Sequence, residues 1–357
     1  MLIMPNFLVN TDTKLQNIID DLRKSSIIGL DTEFIRESTY YPRLALIQLS
    51  DNINTYCIDV LAIKNNNLIA EILSNKAIKK VIHASKQDLE VLNHYFKCYP
   101  QNIFDTQIAY NLLTSDISIS YSNLVKKYLS VELKEGSWRT DWLKRPISED
   151  KIIYAANDVR YLIKLYEILN TRLHKINRID WFIEEQDIEL KKSNIVIEPE
   201  LSWEKINLPS NLTLIQLNYL KKLSCWREEK AILNNIPKRW IFNDSELIKI
   251  ITSKPNRLSY ILDNLKHQLN KSDIDFIKLT LNDEYIKPDS VNKNIDGHLY
   301  NERVNKCQKI LQEVAEKYNL ASTFIANKRD IDAFARNKDY VKFLHGWRFK
   351  IFGKLVQ

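Results

Sequence analysis

The segment "IIGLDTEF", residues 27–34, places two carboxylates at the end of an apolar run rich in β-branched residues. A short run of this kind predicts a buried β-strand. Side chains two apart on a strand lie on one face, so Asp31 and Glu33 should be only a few ångströms apart. At 4 Å and an effective dielectric near 20, their repulsion is about 4 kcal/mol. The pair must therefore be protonated, matched by a cation, bound to metal, or screened by water at an exposed strand end.

Further segments predict a mixed sheet followed by helices. The turn-forming residues "DNIN" separate "LALIQLS" from "TYCIDVL", which favours antiparallel pairing of these two strands. "KKVIHAS" predicts another strand, and "KQDLEVLNHYF" predicts the helix after it. An amphipathic helix over residues 13–25, with a capping box at Thr13 and Gln16, should precede the first strand. After Asp105 most of the chain has helical periodicity, so we expect an α/β or α+β domain that ends near residue 176.

The second half of the chain predicts smaller helical domains. Residues 178–210 contain prolines and little periodicity, which indicates a linker with short helical pieces. "LTLIQLNYLKKLSCWREEKAILNNIP" and "DSELIKIIT" then predict one helical domain. A polar stretch near residues 287–296 separates it from a last helical region.

Composition limits the class of protein. The 357 residues are 45% hydrophobic, which is ordinary for a soluble globular chain of two or three domains. With five glycines the chain has no GxGxxG or P-loop motif, which excludes nucleotide sites of those types. The net charge of +7 fits a nucleic-acid partner or simply a basic enzyme. The four cysteines lack metal-ligand spacing, and the sequence has neither a signal peptide nor a membrane-spanning run, so we expect a cytoplasmic protein.

Two other segments carry acidic residues that are able to join the first pair. In "SEDKIIYAANDVRYLIKLYEIL", Ser148 is a candidate N-cap, and Tyr154 and Asp158 share one helix face because they are four residues apart. They form either a surface hydrogen-bonded pair or a phenol and carboxylate directed at the strand end. In "VIHASKQDLEVL", Asp88 opens a helix after a strand, and Glu90 fits equally well by spacing. The alternative role of Asp88 is a favourable interaction with the N-terminal end of the helix dipole.

Taken in order, "DTEF", "HASKQDLEVL" and "YAANDVRYL" resemble the three exonuclease motifs of the DEDD superfamily, with the tyrosine that marks its DEDDy branch. The surrounding "RESTYYPRLALIQL", "FDTQIAY" and "TDWLKRPIS" are similar to the ribonuclease D family. The resemblance covers roughly residues 27–170 and implies a ribonuclease H-like mixed sheet with helices. "LKKLSCWREEKAILNNIPKRWIFNDSELIKII" resembles an HRDC domain, and "IANKRDIDAF" with "FLHGWRFKIFGKLV" resembles a second C-terminal module of the same family.

The resemblance implies four domain segments: an exonuclease domain at 1–176, a linker at 177–210, an HRDC domain at 211–288 and a second HRDC-like helical domain at 296–357. It also implies that two divalent cations, Mg²⁺ or Mn²⁺, are held by Asp31, Glu33, Asp88 and Asp158. Tyr154 would aim the attacking water, because its phenol is a poor base at neutral pH.

The implied activity is 3′–5′ exoribonuclease hydrolysis that releases nucleoside 5′-monophosphates, with tRNA precursors carrying 3′ extensions as the substrate. The alternatives are a DNA-trimming exonuclease of the same superfamily and a catalytically silent RNA-binding protein.

Substrate contacts are expected from residues that flank the acidic motifs. Arg36, Gln48 and His83 are candidates for holding phosphate or sugar, and Phe34 for stacking on a terminal base. Arg43 is a further candidate, although each of these residues can also have a purely structural or surface role. Trp138, Trp142 and Arg145 are candidates for shaping the cleft, and the alternative is that the tryptophans are ordinary packing residues. The basic and aromatic residues of "LKKLSCWREEK" and "IPKRW" suggest a collective grip on RNA, or a solvated basic helix face.

Overall fold

The structure is a computed structural model that describes residues 8–133, 140–193, 198–209, 212–253, 255–265, 269–282, 297–336 and 341–357. The chain forms two compact units. Unit 1 comprises Met1–Ile35, Leu44–Asn194 and Asn294–Gln357, and unit 2 comprises Arg36–Arg43 and Ile195–Lys293. None of the helices in the described ranges is long and apolar enough to cross a membrane.

Unit 1 is built on a mixed sheet of six strands. These are β1 (Leu8–Val9), β2 (Ile27–Ile35), β3 (Arg43–Ser50), β4 (Thr55–Asp59), β5 (Lys79–Ile82) and β6 (Ile103–Asp105). Their order in the sheet is β1-β4-β3-β2-β5-β6. The predicted antiparallel pairing of β3 with β4 is confirmed, with Ile47 opposite Ile58. β1 runs parallel to β4, and β5 runs parallel to both β2 and β6. β2, which carries Asp31 and Glu33, therefore lies inside the sheet.

Eight helices of unit 1 follow or separate the strands. They are α1 (Asp12–Leu22), α2 (Asn67–Ser74), α3 (Lys86–Phe96), α4 (Thr106–Asn111), α5 (Tyr121–Leu129), α6 (Glu149–Arg160), α7 (Leu162–Lys175) and α8 (Ile179–Ser193). The helix predicted for "KQDLEVLNHYF" is confirmed as α3. The capping box predicted at Thr13 is wrong, because Thr11 has the extended backbone of an N-cap and its side chain accepts a hydrogen bond from the Lys14 N–H. Ser148 is the N-cap residue of α6, but its side chain makes no capping hydrogen bond.

The two faces of β2 pack against different helices. Leu30 is fully buried in a core cluster with Leu89 of α3. Gly29 lies on the opposite face, where a Cβ atom would stand 2.9 Å from the Val159 carbonyl of α6. Because side chains alternate along a strand, Asp31 is on the Gly29 face and is directed toward α6.

Part of the predicted linker over residues 177–210 is a single long helix, α8. Its Phe182 side chain is buried and stacks on Phe104, with ring centroids 4.4 Å apart. Its buried Gln186 accepts a hydrogen bond of 2.8 Å from the Asp105 N–H. α8 therefore belongs to the core of unit 1, which differs from the expectation of short helical pieces. The domain boundaries themselves stay a prediction.

Unit 2 is mainly helical. Its helices are α9 (Leu214–Leu233), α10 (Asp244–Thr252), α11 (Pro255–Asn264) and α12 (Lys271–Asn282), with 3₁₀ helices at Pro199–Lys205 and Lys238–Trp240. Thr213 starts α9 with a capping box. The fully buried Arg227 donates to the Phe242 carbonyl and to the Asp244 carboxylate. The segment Arg36–Arg43 joins this unit through the Tyr40 hydroxyl, which donates to Glu228.

The C-terminal part of unit 1 is also helical. It contains α13 (Gly297–Tyr318), α14 (Ser322–Ile325), α15 (Lys328–Ala335), a 3₁₀ helix at Lys342–Leu344, α16 (Gly346–Arg348), a π-helix at Phe349–Gly353 and α17 (Lys354–Val356). Trp347 stacks on Trp181 of α8 at 4.7 Å, and Arg348 forms a buried ion pair with Glu185. The C-terminal helices therefore share one hydrophobic core with α7 and α8.

Candidate active site

Three carboxylates from two elements meet at the α6 face of the sheet. Asp31 and Glu33 come from β2, and Asp158 comes from α6. Each offers a carboxylate oxygen, and these oxygens all lie within 4.8 Å of one another. All three side chains are partly buried. The structure thus brings together the acidic pair of the strand and the carboxylate of the later helix, in an arrangement able to hold a metal ion.

The electrostatics of the cluster favour protons or a cation. Burial, reinforced by the charges of Asp88, Asp158 and Glu33, raises the pKa of Asp31 well above its ordinary value. Burial and the charges of Asp158 and Asp88 raise the pKa of Glu33 to about 9. Burial also raises the pKa of Asp158 to about 7. Without a counter-cation, the site therefore resists full ionisation at neutral pH.

Asp88 contributes a fourth negative charge from the first turn of α3. Its side chain is only 7% exposed, and burial raises its pKa to about 7. The Thr32 hydroxyl donates a hydrogen bond to Asp88 Oδ1 and opposes that rise. Asp88 is not among the three residues within the 4.8 Å group, but its charge acts on Asp31 and Glu33. Its neighbour Glu90, the alternative by spacing, is partly exposed on α3.

Tyr154 lies next to the cluster on α6, one turn before Asp158. Its hydroxyl is hydrogen-bonded to the Asp158 carboxylate, which lowers the pKa of Asp158 against the effect of burial. Burial and the charges of Asp158, Glu33 and Asp31 raise the pKa of Tyr154 above its ordinary value. The phenol therefore keeps its proton at neutral pH and acts as a hydrogen-bond donor.

The predicted substrate residues have different surroundings. Phe34 is partly exposed and packs against the core cluster on the α3 face. Gln48 is fully buried on β3, and neither of its amide atoms has a hydrogen-bond partner in the described part of the chain. His83 uses both ring nitrogens, at 2.9 Å from the Thr106 hydroxyl and 3.0 Å from the Ile119 carbonyl. Both ring nitrogens of His83 therefore have partners within the protein, and its contact with substrate stays a prediction.

The other candidates divide between the two units. Arg36 belongs to unit 2, where its guanidinium is 3.5 Å from the Tyr40 carbonyl. Arg145 in unit 1 pairs with the buried Asp59 at 2.7 Å. Trp142 is buried, and Trp138 lies outside the described residues.

Thr32 is a site residue that the sequence interpretation did not single out. It stands between the two acidic residues of "DTE" on the opposite side of the strand, and its hydroxyl contacts Asp88, which is 56 residues later. A threonine between two acidic residues carries no local signal of such a contact.

Comparisons with known proteins agree with the geometry. A family model described as "3'-5' exonuclease" matches residues 6–174. Curated proteins named Ribonuclease D are similar along nearly the full length: that of Zymomonas mobilis is 33% identical, over 97% of this chain and 92% of its own. The chain belongs to the ribonuclease D family. The Ribonuclease D of Bartonella henselae is 31% identical, over 98% of this chain and 89% of its own.

A solved structure of the family supports the whole architecture. The crystal structure of Escherichia coli RNase D, described as an exoribonuclease involved in structured RNA processing, superposes with a TM-score of 0.86. It is 26% identical and covers 98% of this chain and 96% of its own. The predicted fold class, an α/β exonuclease domain followed by helical HRDC-type domains, is confirmed. As a ribonuclease D family member with a 3′–5′ exonuclease domain, the chain is a hydrolytic 3′–5′ exoribonuclease.

Proposed function

We propose that this protein shortens RNA from its 3′ end by metal-dependent hydrolysis and releases nucleoside 5′-monophosphates. The observation that supports this most directly is the cluster of Asp31, Glu33 and Asp158, whose oxygens lie within 4.8 Å of one another. Asp88 and Tyr154 complete the proposed catalytic set. We further propose that tRNA precursors with 3′ extensions are substrates, which is consistent with the names of the relatives. The cytoplasmic location stays a prediction.

The donor set fits two hard divalent cations, Mg²⁺ or Mn²⁺. Carboxylate oxygens are the ligands that these ions prefer, and a bound cation would offset the burial of Glu33 and Asp158, which raises the pKa values of both carboxylates. In the proposal, Asp31, Glu33, Asp88 and Asp158 would hold these ions. When bound, such ions activate water and stabilise charge on both oxygens of an in-line phosphodiester displacement.

The residues of the chain orient the reactants. Tyr154 holds its proton, and its hydroxyl lies against Asp158. We assign it the role of directing the attacking water by hydrogen bonding, because a phenol with a raised pKa is a poor base at neutral pH. Phe34, Arg36, Gln48 and His83 stay predicted substrate contacts. Gln48 is the best supported of the four, because both amide atoms are buried without a partner in the described residues.

The proposal is tested by an exonuclease assay on 5′-labelled RNA with a 3′ extension, with Mn²⁺ or with EDTA. We expect stepwise shortening and release of nucleoside 5′-monophosphates, loss of activity in EDTA, and near-complete loss in Asp31→Asn. Tyr154→Phe should lose about 10–100-fold, the range for residues that orient the groups of a metal site by hydrogen bonding. Asp150→Asn, an exposed carboxylate on the same helix as Asp158, is the matched control and should keep wild-type activity.

Two further measurements separate the alternatives. RNA binding by Asp31→Asn should match that of the wild type; a wild-type protein that binds RNA without cleaving it would identify a silent binding protein. Single-stranded DNA of the same sequence should be trimmed more slowly than RNA. Equal or faster DNA turnover would favour the DNA-trimming exonuclease instead.

A further inference from the structure

The helix that carries Asp158 is interrupted immediately after the site. α6 ends at Arg160 and α7 begins at Leu162. Between them, Tyr161 has φ −109° and ψ 0°, which is outside the helical range. A helix break needs other partners for the backbone groups that it leaves without an intrahelical bond.

The hydroxyl of Tyr121, the first residue of α5, is inserted into this break. It donates to the Asn157 carbonyl at 3.1 Å and accepts from the Tyr161 N–H at 3.1 Å. In a continuous α-helix these two groups would bond directly to each other, because the N–H of each residue bonds to the carbonyl four residues earlier. One phenol oxygen thus replaces a single helix hydrogen bond. Asp158 is the residue next to the captured carbonyl.

A second side chain holds the same turn from the sheet. The Ser50 hydroxyl of β3 donates to the Val159 carbonyl at 2.8 Å. The two residues that flank Asp158, Asn157 and Val159, therefore both have carbonyls fixed by side chains from outside the helix. These two contacts hold the backbone on both sides of Asp158.

Tyr121 also lies within the electrostatic field of the acidic cluster. Burial raises its pKa well above the ordinary value, and the charges of Asp158 and Asp31 add to the rise. Its ring packs against the His83 ring, with centroids 5.9 Å apart. His83 is in turn fixed by Thr106 and Ile119. The phenol is therefore a protonated donor in a defined position.

We propose that Tyr121 is a positioning residue for Asp158: its hydroxyl keeps the helix break in the geometry that directs the Asp158 carboxylate into the acidic cluster. This inference rests on the proposed function, because it assigns Tyr121 to the same metal-binding site. Without the hydroxyl, Asn157 and Tyr161 are able to form the ordinary helix bond. One residue of helix spans 100° and 1.5 Å, so even a partial rearrangement moves the carboxylate away from Asp31 and Glu33.

A positioning role and a merely structural role predict different results. If Tyr121 only stabilised the fold, its loss would lower the unfolding temperature and leave the metal affinity of the folded protein unchanged. The positioning role predicts weaker metal binding at a nearly unchanged unfolding temperature. The fold loses little, because the Asn157 carbonyl and the Tyr161 N–H are able to bond to each other when the hydroxyl is removed.

The test compares Tyr121→Phe with Tyr166→Phe, which removes a hydroxyl from α7, beyond the break. Mn²⁺ binding is measured by calorimetry without RNA, and kcat and KM are measured on 3′-extended RNA. We expect Tyr121→Phe to weaken Mn²⁺ binding and reduce kcat by about 10-fold or more, the range for residues that orient metal ligands. KM, the unfolding temperature and all properties of Tyr166→Phe should stay close to the wild-type values.

The same substitution made in an Asp158→Asn variant distinguishes a positioning role of Tyr121 from a structural one. In Asp158→Asn, adding Tyr121→Phe should weaken Mn²⁺ binding no further, because the residue through which Tyr121 acts is already changed. Wild-type Mn²⁺ affinity in Tyr121→Phe, or an equal additional loss in the Asp158→Asn background, would overturn the inference. A wild-type protein that neither binds Mn²⁺ nor trims RNA would instead overturn the proposed function itself.

Discussion

The Thr32 hydroxyl donates a hydrogen bond to the buried carboxylate of Asp88. This contact joins the central strand β2 to the first turn of α3 through the sheet face opposite Asp31. Thr32 thereby stabilises the ionised form of Asp88. Without this hydrogen bond, burial would raise the pKa of Asp88 further above about 7. An ionised Asp88 is required for the proposed metal binding, because a protonated carboxyl is a poor cation ligand.

The first prediction concerns this hydrogen bond. Thr32→Val keeps the shape of the side chain but removes the donor, so the pKa of Asp88 should rise. A hydrogen bond to a charged group is worth about 1.5–3 kcal/mol, which corresponds to about one pH unit or more. The acidic limb of the pH profile of kcat/KM should move to higher pH by that amount. Thr32→Ser retains a hydroxyl and should keep the wild-type profile; identical profiles for the two variants would contradict the assignment.

The second prediction concerns stability in the absence of metal. The folded-state pKa values of Glu33, about 9, and Asp158, about 7, lie above those of the unfolded chain, so the folded state binds more protons between about pH 4 and pH 9. The contribution of these groups to stability must then fall as pH rises through that window. In EDTA, the unfolding temperature of the wild type should therefore fall between pH 6 and pH 8.5 more than that of Asp31→Asn.

Bound Mn²⁺ should reverse this loss of stability at high pH. Mn²⁺ at about 100 times its dissociation constant stabilises the folded state by about 2.7 kcal/mol, which corresponds to a rise of roughly 5 °C in unfolding temperature. Asp31→Asn should be more stable than the wild type in EDTA at pH 8.5 and should gain little from Mn²⁺. An equal Mn²⁺ response in the two proteins, measured by calorimetry, would place the ion elsewhere.

The sequence predicts the site best where two residues are related by a local period. The period of two places Asp31 beside Glu33, and the spacing of four places Tyr154 beside Asp158. Thr32 has no such relation, because its partner comes from a helix that begins 54 residues later. Contacts of this kind depend on the register of β2 against β5 and on the docking of α3, which local patterns do not encode.

The prediction of a linker where the structure has α8 is wrong for the same reason, which is that long-range contacts leave no local pattern in the sequence. α8 was expected to be linker because the periodicity over residues 178–210 is poor as a whole. Its buried face is instead defined by partners far away in the chain: Phe182 meets Phe104, and Trp181 meets Trp347. A helix with partners on several sides shows weak amphipathic patterning.

The third prediction concerns the close approach of β2 to the helix break. A methyl group at Gly29 would stand 2.4 Å from the Ser50 hydroxyl and 2.9 Å from the Val159 carbonyl. The hydroxyl is able to rotate away, but the carbonyl is backbone next to Asp158. Gly29→Ala should therefore destabilise the fold by about 1–3 kcal/mol, as overpacking does, and should also lower kcat.

Ser50→Ala provides the matched control for Gly29→Ala. It removes only the hydrogen bond to Val159 and should cost about 1 kcal/mol in urea unfolding. The double variant should remain impaired in kcat, because the contact with the Val159 carbonyl persists. Full recovery of kcat in the double variant would show that the serine clash alone limits the site.

The fourth prediction concerns the buried ion pair between Arg348 of the C-terminal helices and Glu185 of α8. Arg348 is 5% exposed and Glu185 is 9% exposed, and the same carboxylate accepts a hydrogen bond of 2.8 Å from the Trp347 indole N–H. Arg348 also donates to the Phe324 carbonyl at 3.0 Å. Glu185→Gln leaves the buried guanidinium without its counter-charge, so we expect a loss of about 3–5 kcal/mol in the free energy of unfolding.

Replacing both charges distinguishes the cost of an unpaired charge from the value of the pair. Glu185→Leu with Arg348→Leu removes both buried charges, so the double variant should be more stable than Arg348→Leu or Glu185→Leu alone. Urea unfolding measures all four free energies of the cycle. Because the ion pair is absent from the proposed catalytic set, kcat per folded molecule should change little in Glu185→Gln. If the losses of unfolding free energy in the two single variants simply added in the double variant, the two charges would act independently. The proposed stabilisation of the C-terminal helices by this ion pair would then be wrong.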